Sequence, residues 1–255
     1  MVFFGNPRTA KKRLQNMKPL KLTWICQGGF IFDDGKTRLV ADPYLSNKLY
    51  FSGLGRMVTV PIAFEELKPD IVLFTHDHAD HYDEATVEPI VKKYPNCRFV
   101  GPTSAFSHFK KSGFDAGRFE TLDVGGRTKF GDIEIEAVKA YHTEKYAIGT
   151  LISAAGRLTY LSGDTLCEPS LPGEIKKSVA ERPLEAALVC INGKWGNMSD
   201  DEAAELVAYL KPARAVPMHY GLFSKNTADP KNFISKVRAC SIKCDELVPG
   251  REYDF

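Results

Sequence analysis

The sequence contains 255 residues, of which 44% are hydrophobic and 26% are charged. This composition is typical of a globular protein with a sizeable core, and it excludes a disordered chain. The net charge of +2 is far from the strongly basic balance of a nucleic-acid-binding domain, so nothing in the composition indicates a nucleic-acid partner.

Residues 1–4 are apolar and basic residues follow them, which is the reverse of the order that a secretory signal requires. No apolar stretch approaches the ~18 residues that suggest a membrane-spanning helix. The six cysteines are scattered, and Cys240 and Cys244 lack a nearby second pair of metal ligands, so we expect reduced thiols. We therefore predict a cytoplasmic protein without a membrane partner, with an N-terminal extension at residues 1–20 and a single domain at residues 21–255.

Several segments are predicted to be strands, because they are rich in apolar and β-branched residues or alternate between apolar and polar residues. In chain order they are Lys21–Cys26, Phe30–Asp33, Arg38–Asp42, Asp70–Thr75, Gly131–His142, Ile148–Ser153, Leu158–Ser162, Ala186–Ile191 and Ala213–Met218. The continuous apolar run in Asp70–Thr75 indicates a strand that is covered on both faces.

Helices are predicted between these strands. Ser199 and Glu202 form a capping box ahead of apolar residues at helical spacing, and Asp229-Pro230 is a favourable helix start. Further helical patterns cover Val87–Tyr94, Thr103–Lys111 and Glu174–Ala180. Strands that occur in runs, with helices inserted in both halves, favour two packed sheets flanked by helices. The pattern alone therefore predicts a single α/β domain.

A dense group of metal-binding residue types follows the predicted strand Asp70–Thr75. In an extended stretch, residues two apart point in the same direction, so His76 and His78 can bind one metal ion. Asp80 and His81 lie beyond a bend and can bind a second ion. Imidazole and carboxylate groups suit zinc, manganese and iron.

Other histidines and an aspartate follow other predicted strands. His142, Asp164 and His219 each lie where a strand gives way to a loop, so packed sheets can bring them to one edge. Taken alone, His142 or His219 would be interpreted as a hydrogen-bonded core or surface residue, but the neighbouring motif favours metal binding. His108 lies in a predicted helix beside two phenylalanines, and we expect it to be structural.

The pattern His76-x-His78-x-Asp80-His81 resembles the signature of the metallo-β-lactamase superfamily, and the resemblance covers nearly the whole chain. Within the superfamily, the sequence is similar to the branch that contains the L-ascorbate-6-phosphate lactonases and related metal-dependent hydrolases. The stretches that carry this likeness are Gln27-Gly28-Gly29-Phe30, Asp42-Pro43-Tyr44-Leu45-Ser46, Ile191-Asn192-Gly193, Gly196-Asn197-Met198, Pro217-Met218-His219-Tyr220-Gly221 and Asn226-Thr227-Ala228-Asp229-Pro230. The known lactonases are longer than this chain, which leaves the substrate open.

The resemblance implies an αββα four-layer sandwich and two divalent metal ions, Zn²⁺ or Mn²⁺, with Fe²⁺ as an alternative. It divides the candidate ligands into two groups and a bridge: His76, His78 and His142; Asp80, His81 and His219; and Asp164 between them. It also implies that Asp42 supports the ligand histidines from behind, although a simple Asp-Pro turn explains that residue equally well.

The chemistry expected of this site is hydrolysis by a metal-bound hydroxide. Asp80 is the candidate catalytic residue, because a carboxylate beside cations stays ionised and can accept the proton of the nucleophile. The expected small-molecule substrate is a lactone or a carboxylic ester, with a phosphorylated sugar lactone as one example. Lys194 and Lys225 are candidates to bind its phosphate, unless they are ordinary solvated lysines. Trp195 either lines the pocket or packs under the loop.

Other functions of such a site stay open. A phosphodiesterase, thioesterase or amidase would use the same ligands, but nuclease relatives carry a basic segment that this sequence lacks. A di-iron oxidoreductase is disfavoured, because relatives of that kind have glutamate at the position of His78. A non-catalytic metal-binding protein is expected to have lost ligands, and none is missing here. A homo-oligomer is compatible with the sequence.

Overall fold

The computed structural model describes residues 20–255 of the chain. The predicted N-terminal extension, residues 1–20, lies outside this range except for Leu20, which is buried. Within the described range, fourteen strands form two seven-stranded sheets. The strands and helices that the sequence predicts are all present, with bounds that differ by up to a few residues.

The first sheet has the strand order β14-β1-β2-β3-β4-β5-β6, and the second has the order β13-β12-β11-β10-β9-β8-β7. The strands of the first sheet are β1 (Lys21–Trp24), β2 (Phe30–Asp33), β3 (Arg38–Ala41), β4 (Ile71–Leu73), β5 (Arg98–Gly101), β6 (Phe119–Thr121) and β14 (Glu252–Asp254). The strands of the second sheet are β7 (Arg127–Phe130), β8 (Ile133–Lys139), β9 (Ile148–Ala154), β10 (Arg157–Leu161), β11 (Leu184–Cys190), β12 (Arg214–Met218) and β13 (Lys243–Cys244).

The helices of the described range connect these strands on the outside of the sheets. The α-helices are Phe64–Leu67, Glu84–Lys93, Thr103–Lys111, Leu171–Val179, Asp200–Leu210 and Lys231–Ala239, and short 3₁₀ helices cover Lys48–Ser52 and Ala116–Arg118. None of the helices between residues 20 and 255 is long and apolar enough to cross a membrane.

Both faces of the first sheet are buried. Successive side chains of a strand point to opposite faces, so Leu39 and Leu73 pack in the large core that includes the second sheet, whereas Val40 and Val72 face away from it. On that outer face they pack with residues of the helices Glu84–Lys93 and Thr103–Lys111, among them Val87, Ile90 and Phe109.

The second sheet is covered on its outer face by the three C-terminal helices. Leu171–Val179 contacts β8, Asp200–Leu210 contacts β11, and Lys231–Ala239 contacts β12 and β13. Their buried residues, such as Ile175 and Val207, belong to the same large core as the inner strands. The layers are therefore helix, sheet, sheet and helix, which confirms the predicted αββα sandwich.

The strand directions decide where the functional loops lie. In the first sheet, β3 and β4 are parallel; in the second, β10, β11 and β12 are parallel, and β8 runs the same way because β9 is antiparallel to both β8 and β10. The loops that follow these strands therefore leave each sheet at one edge. A backbone hydrogen bond from Ile148 N to Thr75 O at 2.9 Å joins the two edges.

Some elements were not predicted from the sequence. The edge strand β7 (Arg127–Phe130) is half exposed and carries no clear apolar alternation, so its sequence resembles a loop. The helix Glu84–Lys93 begins three residues before its predicted start, because the carboxylate of Asp83 accepts a hydrogen bond from the backbone of Ala85 and caps it. The predicted strand Asp70–Thr75 ends at Leu73, which frees the following residues for the site.

Candidate metal centre

The candidate ligands occupy loops at the shared edge of the two sheets. The histidine-rich loop follows β4, and the other ligands follow β8, β10 and β12 at His142, Asp164 and His219. Their donor atoms form overlapping groups in which all atoms lie within 4.8 Å of one another. These groups contain all seven residues that the sequence predicts to bind metal.

The first group consists of His76, His78 and His142. Nδ1 of His78 lies 3.1 Å from Nε2 of His76 and 3.1 Å from Nε2 of His142. The side chains of His76 and His142 are buried, whereas His78 is partly exposed. This group therefore lies between the protein interior and an open side.

The second group consists of Asp80, His81 and His219. Nε2 of His81 is 3.4 Å from Nε2 of His219, and Oδ2 of Asp80 is 3.5 Å from Nε2 of His219. The distance between Oδ2 of Asp80 and Nε2 of His81 is 3.8 Å. Both histidines are buried, and Asp80 is the more accessible member of the group.

Asp164 lies between the two groups. Its Oδ2 is 3.1 Å from Nε2 of His219 and 3.9 Å from Nε2 of His142, so one carboxylate reaches both groups. Its Oδ1 is 3.3 Å from Nε2 of His81 and accepts no hydrogen bond from the described residues. A buried carboxylate oxygen without a hydrogen bond is costly unless a cation compensates its charge.

Hydrogen bonds behind the histidines fix their tautomers. Nδ1 of His81 donates to Oδ2 of Asp42 at 2.7 Å. The hydroxyl of Thr75 also donates to Oδ2 of Asp42, at 2.6 Å, so its oxygen is free to accept from Nδ1 of His76 at 3.1 Å. Nδ1 of His142 donates to the carbonyl oxygen of Gly196 at 3.0 Å. In all three histidines Nδ1 is therefore the hydrogen-bonded nitrogen, and Nε2 faces the cluster, where it is available to bind a metal.

Glycines allow these loops to approach the histidines closely. A Cβ atom on Gly28 would lie 2.7 Å from Cε1 of His81, closer than side chains pack. A Cβ atom on Gly196 would lie 3.1 Å from Nδ1 of His142, and Gly196 has a φ of +89°, a conformation that favours glycine. Any side chain at either position would displace a histidine of the cluster.

The charges of the site follow from burial and from the contacts between its members. Although burial lowers the pKa of an imidazole, the carboxylates of Asp164 and Asp80 raise the pKa of His219 to about 9. Burial opposes ionisation of both aspartates, but His81 and His219 outweigh it and lower the pKa of each carboxyl. Burial lowers the pKa of His76 well below its usual value. Ionised carboxylates and a neutral His76 are the forms that bind a metal.

The donor set fits a divalent cation in chemistry and in size. Donor atoms that surround zinc tetrahedrally at about 2.0–2.1 Å lie roughly 3.3 Å from one another. The observed separations within the two groups range from 3.1 Å to 3.8 Å. Ring nitrogens that face one another with their lone pairs repel unless a cation lies between them. We conclude that this histidine and aspartate cluster is able to bind metal.

The other residues singled out in the sequence lie outside the cluster. Lys194 and Lys225 are exposed and adjacent, with Nζ of Lys194 3.3 Å from the carbonyl oxygen of Lys225. Trp195 is 56% exposed, so it does not pack under its loop. His108 stacks on the ring of Tyr82 at a centroid distance of 4.1 Å, which agrees with a structural role. Cys240 and Cys244 are free thiols outside these donor groups.

Sequence analysis missed two amides that contact the cluster. Nε2 of Gln27 donates to Oδ2 of Asp80 at 2.8 Å. Nδ2 of Asn197 donates to Oδ2 of Asp164 at 2.8 Å and to Oδ1 of Asn192 at 3.0 Å. Gln27 and Asn197, and also Asn192, lie in stretches that carry the family likeness, which is the one sequence signal that could have identified them.

The comparisons with known proteins agree with the fold and with the motif. Residues 37–220 match the family model described as the β-lactamase superfamily domain. A UPF0173 protein of Pyrococcus furiosus is 31% identical over 222 residues, which cover 86% of this chain and 91% of the relative. A UPF0173 metal-dependent hydrolase of Thermoplasma acidophilum is 31% identical over 249 residues, which cover 92% and 98%.

A solved structure supports the same fold. Igni18, described as a novel metallo hydrolase from the hyperthermophilic archaeon Ignicoccus hospitalis, superposes with a TM-score of 0.76 at 24% identity. The superposition covers 92% of this chain and 98% of Igni18. The chain belongs to the β-lactamase superfamily domain family and, within it, to the UPF0173 proteins.

Proposed function

We propose that this protein is a metal-dependent hydrolase that binds two divalent ions, Zn²⁺ or Mn²⁺, and cleaves a lactone or a carboxylic ester. The observation that carries the proposal is the convergence of seven imidazole and carboxylate side chains, from four separate loops, on one edge of the sandwich. The names of the UPF0173 relatives that are described as metal-dependent hydrolases support the reaction class.

The proposed ligand assignment follows the two donor groups. The imidazoles of the first group would hold one ion, the second group would hold the other, and the Asp164 carboxylate would be available to both. When bound, the ions supply a water of lowered pKa and positive charge that polarises a carbonyl group. The hydrogen bonds from Nδ1 of His81 and His142 keep both rings in the required tautomer.

Asp80 is the proposed proton acceptor. Its side chain is 18% exposed, whereas that of Asp164 is 6% exposed, so Asp80 is the cluster carboxylate that a substrate can approach. His81 and His219 lower the pKa of Asp80 against the effect of burial, which keeps it ionised at neutral pH. An ionised carboxylate beside the nucleophile can orient it and accept its proton.

The substrate is proposed to carry an anionic group. Lys194 and Lys225 are both exposed. Lys194 lies in the loop between Asn192 and Asn197, and this loop contacts His142 through the carbonyl oxygen of Gly196. Two exposed lysines on loops that contact each other favour a phosphate or carboxylate at this rim. A phosphorylated sugar lactone combines such a group with the expected scissile bond.

A substrate panel tests the proposal. Protein reconstituted with zinc or manganese is assayed on lactones, carboxylic esters, phosphodiesters, thioesters and amides, with His78→Ala as the inactive control. We expect metal-dependent turnover of a lactone or ester, and a KM increase in Lys194→Met and Lys225→Met for phosphorylated substrates alone. Turnover restricted to phosphodiesters, thioesters or amides would overturn the substrate class. Oxygen consumption by the iron form without hydrolysis, or metal binding without any turnover, would overturn the hydrolase proposal.

A further inference from the structure

Gln27 lies in the strained turn between β1 and β2, which hydrogen-bonds to the loop after β12 of the second sheet. After β1, both Cys26 and Gln27 adopt positive φ angles, of 76° and 51°, which residues other than glycine rarely adopt. The carbonyl oxygen of Gln27 accepts from the indole of Trp24 at 3.0 Å and from the backbone N of His219 at 3.1 Å. The turn therefore places the Gln27 side chain at a fixed position beside the cluster.

The Gln27 side chain is fully buried between two members of the second donor group. Its Nε2 is 2.8 Å from Oδ2 of Asp80, and it is 3.1 Å from Nε2 and 3.4 Å from Nδ1 of His219. An atom at these distances from both ring nitrogens of His219 cannot lie in the plane of the imidazole, because it would overlap the ring carbons. The amide nitrogen therefore lies over the face of the imidazole and directs its hydrogen bond at Asp80.

The amide is an unusual choice at this position. Its Oε1 is buried and accepts no hydrogen bond from the described residues, which destabilises the fold. A methionine would fill similar space without that cost, and a lysine would neutralise the charge of Asp80. Glutamine satisfies one lone pair of the Asp80 carboxylate and leaves its negative charge intact. The arrangement thus fixes the orientation of Asp80 while preserving its ability to bind a cation.

We propose that Gln27 is a positioning residue, which holds the Asp80 carboxylate and the His219 ring in the orientation that binds the second ion and accepts the proton. This role rests on the proposed function for its effect on turnover, but its effect on metal affinity can be measured without a substrate. Loss of such an outer hydrogen bond typically lowers metal affinity or activity about 10- to 100-fold.

A double-mutant cycle in metal affinity tests the proposal. Metal is first removed from the protein with a chelator. Calorimetric titration with zinc then compares the metal affinities of wild type, Gln27→Met, Asp80→Asn and the double variant. We expect Gln27→Met to weaken binding of the second ion about tenfold or more, to leave binding of the first ion unchanged, and to have a smaller effect when Asp80 is already replaced, because only the contact with His219 then remains. Unchanged affinity, or the same loss in both backgrounds, would overturn the proposal.

Two further variants keep the test decisive. Thr150→Val removes another buried oxygen, in β9 and outside the cluster, that has no hydrogen-bond partner among residues 20–255. This variant should leave both affinities unchanged. If Gln27→Met does not fold, Gln27→Asn withdraws the amide by one methylene and should weaken the same ion. With an active wild type, kcat should fall with Gln27→Met while KM changes less than about twofold. A folded Gln27→Met with normal kcat and affinity contradicts the role, whereas an inactive wild type contradicts only the proposed function.

Discussion

Oδ2 of Asp42 lies 2.7 Å from Nδ1 of His81, and both side chains are fully buried. The same carboxylate accepts from the hydroxyl and the backbone N of Thr75, and the hydroxyl in turn contacts His76. One carboxylate therefore orients a histidine from each donor group. The sequence was compatible with Asp42 as a turn residue or as a support for the ligands. The residue has both features: its φ of +40° is a turn conformation, and its carboxylate contacts His81.

Replacing Asp42 should weaken metal binding without changing a ligand. Asp42→Asn tolerates the positive φ but removes the charge and one acceptor, so we expect metal affinity to fall about 10- to 100-fold. Asp83→Asn is the matched control, since Asp83 is a buried aspartate that caps a helix. Calorimetric titration with zinc should show weaker binding in Asp42→Asn alone. Equal affinities in the two variants would show that Asp42 does not support the site.

The two carboxylates of the cluster should differ in their effects. Asp164→Ala removes the group that reaches both donor groups, so we expect loss of metal content together with activity. Asp80→Asn should retain at least one ion and lose turnover by a factor on the order of 10²–10⁴. Metal content and turnover, measured on the same preparations, separate these effects. Near-normal turnover in Asp80→Asn would show that Asp80 does not take part in proton transfer.

His108 should be dispensable for catalysis. Its ring stacks on Tyr82, so His108→Ala should lower the free energy of unfolding by about 0.5–1.5 kcal/mol and change turnover less than about twofold. His78→Ala should abolish turnover while the protein remains folded. Circular dichroism and a turnover assay decide between these outcomes. A folded but inactive His108→Ala would mean that the catalytic centre has been assigned to the wrong histidines.

Metal binding should release protons at neutral pH. The pKa of His219 is raised to about 9, so its ring is protonated in the chelated protein at pH 7 and must lose that proton to bind a metal. Apparent affinity should therefore rise as the pH increases from 7 to 9. Calorimetry in buffers of different ionisation enthalpy measures the protons released per ion. Affinity that is independent of pH between 7 and 9 would contradict the raised pKa of His219.

Much of the site could be predicted because four of its seven proposed ligands lie within six residues and the others follow predicted strands. His76, His78 and His81 lie within six residues after an apolar strand, and His142 and His219 follow other strands. Metal-binding residue types at the ends of predicted strands indicate a metal site even when the contacts between the strands are unknown. The αββα arrangement itself came from the resemblance, because the sequence pattern alone reached only a single α/β domain.

The supporting contacts could not be predicted, because they form between loops that are distant in the chain. Gln27 and Asp80 are 53 residues apart, and Asn197 and Asp164 are 33 apart, so no local spacing connects either pair. An amide is also a common surface group, and its residue type alone predicts no metal site. These contacts form only when strands that are distant in the sequence bring their loops to the same edge of a sheet.

The most direct test of the central claim is the metal content of the purified chain, measured together with lactone or ester hydrolysis before and after chelation. Protein reconstituted with zinc or manganese should contain about two ions per chain, lose them and its turnover on chelation, and regain both when metal is restored. His78→Ala should contain fewer ions and show no turnover. Full turnover in folded protein from which all metal has been removed, or no metal uptake at all, would contradict the account.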